Sequence, residues 1–201
     1  MIPSRWAGRV ILSIILVIML VFLSISLPIF AVRYVDDSGN SHDSAVVYRD
    51  YIDKDIGLND LFRDSVLSTA MWYFTVTTWI WMLLAIMFIG LMLLNIRWGS
   101  LVWGWIMAIT GAISIAYLSA KLAATSGSLA YANIEGFYGT LTSSGGTEYH
   151  WGPGLGWWVL LIAVIIQILA VMARTYSVIH ESKTERAWTE TPPAQDGPKP
   201  T

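Results

Sequence analysis

Apolar residues along this chain come in long unbroken runs separated by polar stretches, a pattern that already departs from the short alternation of a soluble fold. Crossing the hydrocarbon core of a bilayer takes about 20 apolar residues in helical form. Four stretches meet that length: Val10 to Val32, Val66 to Ile96, Leu101 to Ala124 and Leu155 to Ala173, with Arg174 closing the last. Backbone polar groups have no water to bind in lipid, so each run is expected to be a helix. The chain therefore reads as an all-α integral membrane protein, a four-helix transmembrane bundle. Its membrane part spans residues 1–186, with spans at about 10–32, 66–96, 101–124 and 155–174.

Between the spans lie two longer polar loops, 33–65 and 125–154, and one tight turn near Asn95. Arg5 and Arg9 precede the first span, Arg97 lies in the tight turn and Arg174 ends the fourth. The first loop has eight Asp against four basic residues, and the second has no Lys or Arg. Basic residues in short flanks stay cytoplasmic, so both termini are expected inside and both loops outside. The destination is a plasma membrane, crossed several times. The first span has too long an apolar run for a signal peptide and reads as an anchor.

Each loop has hairpin chemistry. Asp36 to Ser41 is turn-forming, flanked by Arg33–Val35 and Ala45–Tyr48. Ser143 to Gly146 sits between Gly136–Thr142 and Thr147–Trp151 in the same way. Together they predict a small extracellular β-containing cap. Residues 52–62, with Ile52, Ile56, Leu58, Leu61 and Phe62 among Asp residues, suit a short amphipathic helix. Thr175 to Arg186 continues the last span as a polar helix, and 187–201 has the Thr/Pro/Gln composition of a disordered cytoplasmic tail.

Span three has a small residue every fourth position: Gly104, Ala108, Ala112, Ala116, Ala120 and Ala124, with Gly111 beside them. Small residues let helix backbones approach closely where lipid gives no hydrophobic drive. Gly104, Ala108, Gly111, Ala112, Ala116 and Ala120 are therefore expected to form a helix-packing interface, within the bundle or between copies. Span two places Trp72, Thr75, Trp79, Met82 and Ile86 on one face, expected to pack in the core. Trp81 and Trp105 also read as packing residues, while Trp6, Trp72, Trp98, Trp103, Trp151, Trp157 and Trp158 suit the membrane interfaces. Gln167 is the strongly polar side chain deep in span four and should make an interhelical hydrogen bond.

Composition narrows the function. Only 13% of residues are charged, with net charge −2 and mean hydropathy +0.58. That balance provides no electrostatic footprint for nucleic acid. The chain has no cysteine, which excludes disulfides, thiolate metal sites and thiol redox. No span holds a carboxylate or histidine, so proton relays, haem ligation and intramembrane proteolysis lack their residues. Met82, Met87 and Met92 have no histidine or cysteine beside them to make a copper site. Asp36, Ser38, Asn40, His42 and Asp43 alternate as in calcium loops, but the closing Glu is missing and turn chemistry explains them. Glu148 with His150 reads as a strand pair. No catalytic constellation, metal site or cofactor is expected.

The layout, with the Trp151-Gly-Pro-Gly-Leu-Gly-Trp-Trp158 start of span four, resembles claudin-like and tetraspanin-like four-span membrane proteins. What the resemblance implies is a small outer sheet. The claudin first-loop cysteine pair and the tetraspanin C-C-G motif are not present, and adhesion or barrier activity travels with those residues. The expected function is non-catalytic: a structural or accessory subunit contacting other membrane subunits or copies of itself, with Tyr138, Tyr149, His150 and Trp151 as outer-loop contacts. The alternative is a small oligomeric channel or transporter lined by Thr75, Thr77, Thr78, Ser114 and Gln167.

Overall fold

A computed structural model describes residues 5–35, 38–47, 52–53, 65–124, 126–129, 132–143 and 145–190. Four helices dominate it: α1 (Arg5–Ile25), α2 (Ser65–Leu93), α3 (Arg97–Ala123) and α4 (Leu155–Glu190). All four are long and apolar enough to cross a membrane. At about 1.5 Å rise per residue, the 36 residues of α4 reach well past a hydrocarbon core of about 30 Å.

The first helix is shorter than its apolar run predicts. It stops at Ile25, and Phe30 to Val32 belong to strand β1 (Phe30–Val35). Pro28 is the physical reason, because the residue before a proline is disfavoured in helical conformation and proline cannot donate to the helix ladder. Between α2 and α3 the chain reverses through Asn95, which adopts φ 56°. The Asn95 N–H bonds Met92 C=O at 3.1 Å and the Ile96 N–H reaches Leu91 C=O at 2.9 Å. This is a Schellman closure, in which asparagine tolerates the left-handed position.

In the bundle α2 packs mainly on α3 and α1 on α4; α3 also meets α4, and α1 touches α2 only slightly. Two glycines set the α2–α3 fit. A Cβ on Gly104 would lie 2.8 Å from Phe88 Cε2, and one on Gly111 would lie 2.8 Å from Trp81 Cε2. Phe88 and Trp81 are seven residues apart, as are Gly104 and Gly111, so two large rings of α2 enter two gaps in α3 on adjacent heptads. The core face of α2 is accordingly Phe74, Thr78, Trp81, Met82, Ala85, Phe88 and Met92. This corrects the expected face: Trp72, Trp79 and Ile86 point outward and Met82 alone of that set is fully buried. Span two is apolar on every side, and such a helix does not advertise its inner face.

At one end of the bundle the two loops make a five-stranded sheet in the order β3-β2-β1-β7-β6. Its remaining strands are β2 (Ser41–Val47), β3 (Ile52–Asp53), β6 (Gly139–Thr142) and β7 (Glu148–Pro153). Strand β1 is central, antiparallel to β2 from the first loop and to β7 from the second, with Arg33 opposite both Asp43 and His150. A second hairpin, β4 (Ser126–Leu129) with β5 (Ala132–Glu135), follows α3 and has no counterpart in the sequence reading. Ile52 and Asp53 are strand rather than helix; the rest of the helix expected over 52–62 lies outside the described residues, as do Asp36 and Asp37. α4 continues to Glu190, so the first residues assigned to the tail are helical; 191–201 lie outside the described residues.

The glycines that open α4 join sheet to bundle. The Gly154 N–H donates to Ile29 C=O and the Gly156 N–H to Pro28 C=O, both at 2.8 Å. A Cβ on Gly154 would run into the Pro28 carbonyl oxygen. Backbone meets backbone here, and only glycine leaves the room.

Candidate functional site

Between packed apolar helices an indole N–H is shielded from water, so a tryptophan there needs a protein acceptor. Three tryptophans solve this across helix pairs, each time with α4. Trp81 of α2 donates to Gln167 Oε1 of α4. Trp105 of α3 donates to Thr175 Oγ1 at 3.2 Å, and Trp157 of α4 to Ser119 Oγ of α3 at 2.9 Å. The accepting hydroxyls turn their own protons to backbone: Thr175 to Val171 C=O at 2.8 Å and Ser119 to Ile115 C=O at 2.7 Å. Gln167 is 0% exposed. Because Trp81 can only donate, the amide oxygen must face it, and Nε2 is left buried without a hydrogen-bond partner.

Near the α2–α3 turn, Arg174 is buried and its Nε donates to Ser100 Oγ at 3.2 Å. Ser100 in turn donates to Arg97 C=O at 2.7 Å. Arg97 itself pairs with Glu181 of α4 at 3.7 Å, and Ser177 donates to the same carboxylate at 3.1 Å. This network binds the α4 extension to the start of α3.

The interior thus offers hydrogen-bonding groups rather than reactive ones. Among the described residues its buried polar side chains are Ser24, Thr78, Ser100, Ser114, Gln167 and Arg174. Thr78 donates to Phe74 C=O at 2.7 Å and Ser114 to Thr110 C=O at 2.8 Å. Of the five residues named for a channel lining, Gln167, Thr78 and Ser114 are buried and Thr75 and Thr77 are half-buried. Among the described residues no three histidine or acidic side chains gather as a metal site.

The small-residue stripe divides. Gly104, Ala108 and Gly111 are buried, Ala112 is half-buried against the core, and Ala116 and Ala120 are exposed. A spacing of four overshoots the 3.6-residue turn by about 40° per step, so the stripe winds out of the interface. The inner face of α3 instead follows Gly104, Met107, Gly111, Ser114, Leu118 and Leu122. Ala112 and Ala116 lie along α3 between Trp105 and Ser119, two of the α3 residues that bond to α4.

In the cap, Tyr138 is 77% exposed, while Tyr149 and Trp151 are half-buried against the core. Trp151 lies over Gly139, its partner across the sheet, where a Cβ would collide with the ring. His150 is exposed, 3.7 Å from Glu148 on the same strand face. The four residues therefore separate: Tyr138 and His150 are exposed, and Tyr149 and Trp151 anchor the sheet. Sequence reading missed the Arg174–Ser100 contact and the acceptors of Trp105 and Trp157. The obligatory indole donor was the available signal that acceptors must exist.

Comparison of the chain with models of protein families, with characterised proteins and with solved structures finds no match.

Proposed function

We propose that this chain is a non-catalytic membrane subunit, structural or accessory, which works by lateral contact with another membrane protein or a second copy. The observation that carries this reading is the exposure of Ala116 and Ala120, on α3 beyond Gly104, Ala108 and Gly111, which are buried in the internal packing. Alanines on a lipid-exposed helix surface admit the backbone of a neighbouring helix more closely than leucine or isoleucine would. Exposed Tyr138 and His150 extend the contact surface beyond the bilayer. The interior supports the same reading, since its polar groups hold helices together.

The sheet end lies outside the cell in this account. Arg5, Arg9, Arg97 and Arg174 belong to the opposite end, and basic residues in short flanks favour the cytoplasmic side. Single cysteines at Ser38 and Ser182, in a chain with none of its own, test the orientation with an impermeant thiol reagent on intact cells. Labelling is expected at Ser38→Cys; labelling confined to Ser182→Cys inverts the topology. Purification in a mild detergent tests the function: a co-purifying membrane subunit or a discrete homo-oligomer is expected. A lone monomer at every mild condition contradicts it.

A further inference from the structure

One turn before Ala116 along α3, the seam with α2 opens into a hollow of 430 Å³ lined by Tyr73, Thr77, Ile113, Ser114 and Tyr117. Its volume is within the range of ligand sites, about 300–1,000 Å³. The hollow faces sideways into the bilayer: Tyr73 is 48% and Ile113 60% exposed. Its two aliphatic hydroxyls donate to their own helices. Thr77 donates to Tyr73 C=O at 2.9 Å and Ser114 to Thr110 C=O at 2.8 Å. What remains is Ile113 and two tyrosines, whose rings are set edge-to-face with centroids 6.3 Å apart.

One turn toward the sheet end, the Lys121 ammonium lies 5.6 Å from the centre of the Tyr117 ring. Lys121 is the only Lys or Arg between Arg97 and Arg174. An apolar trough at membrane depth with a cation at its interfacial rim has the polarity of a lipid laid along a helix. The chain goes below, and the phosphate stands at the level of a lysine that reaches toward the interface. Water does not fill an apolar trough that opens into hydrocarbon.

We infer that the α2–α3 trough holds an acyl chain of an anionic phospholipid from the sheet-end leaflet, with the headgroup phosphate at Lys121. A trough of this shape would also accept a side chain of a second copy, and the test separates the two. The full chain in mild detergent is titrated with phosphatidylglycerol, phosphatidylcholine or diacylglycerol and read by native mass spectrometry. One phosphatidylglycerol is expected to be retained in preference to the other two. Lys121→Gln should weaken its retention tenfold or more, and Ile113→Trp, which fills the trough from an exposed position, should abolish it. Ile162→Trp, exposed on α4, should leave retention unchanged, and detergent melting of each variant confirms that it is folded. Equal retention of all three lipids, or indifference to Lys121→Gln or Ile113→Trp, overturns the inference. So does a dimer that carries no lipid and dissociates on Ile113→Trp, because the second copy then fills the trough.

Discussion

The indole of Trp81 stands against Gly111 and donates its N–H to Gln167, so one side chain of α2 fills a gap in α3 and bonds α4. Three helices meet through it, at a depth where water is not available to either partner. Removing one partner leaves the other orphaned, whereas removing both removes the debt. Gln167→Leu is therefore expected to destabilise the bundle more in the parent than in a Trp81→Phe background. A double-mutant cycle by detergent-denaturant unfolding should return a coupling of about 0.5–2 kcal/mol, the scale of interhelical hydrogen bonds in membranes. Strict additivity would mean that the bond contributes nothing.

Gly111→Ala forces a methyl group against Trp81, and the ring has α4 behind it. Overpacking of this kind costs about 1–3 kcal/mol, and the melting temperature should fall. Gly90→Ala in α2 is the comparison, since nothing lies within 4 Å of its added Cβ. There the higher helix propensity of alanine, worth up to about 1 kcal/mol, should leave stability unchanged or raised.

At the junction of sheet and bundle the obstacle is backbone rather than a ring. Gly154→Ala should cost folded yield and lower the melting temperature, because the Pro28 carbonyl cannot turn aside as a side chain can. Gly145→Ala, in the open turn of the β6–β7 hairpin with no atom within 4 Å of an added Cβ, should fold as the parent does.

The two polar contacts near the α2–α3 turn should differ in weight. Arg174 is buried, so Ser100→Ala removes its acceptor and is expected to cost about 1.5–3 kcal/mol, the range of hydrogen bonds to charged groups. The Arg97–Glu181 pair is about one-third exposed on each side, and Glu181→Gln should cost under about 1 kcal/mol, less at high salt. Melting both variants at low and high ionic strength checks the order.

Much of this architecture was legible in the chain. The four helices follow from apolar length, and the pairing of β1 with β2 and of β6 with β7 follows from Gly, Asn and Ser turns between β-branched and aromatic segments. What escaped depends on contacts between elements. Pro28 sits in an apolar run whose length reads as one span, although its geometry ends the helix. Trp79 and Trp81 look alike in an all-apolar segment, and only the gap at Gly111 decides which turns inward. The i+4 stripe is visible as a pattern, but its drift relative to the helix turn decides that Ala108 is inside and Ala116 outside. Ser100 and Ser119 carry no sequence signal of their own, because their partners come from α4 far along the chain.

The division of that stripe provides the most direct test of the proposed lateral contact. Ala112→Leu, half-buried against the core, should lower the melting temperature of the bundle itself. Ala116→Leu combined with Ala120→Leu adds bulk only to the exposed surface, so the monomer should melt within a few degrees of the parent. The measurement is melting temperature and retained partner mass, taken on the same mild-detergent preparation of the parent and the double variant. The account predicts an intact monomer that has lost its partner or its second copy. A double variant that keeps the full assembly would contradict it, for the exposed alanines would then face only lipid.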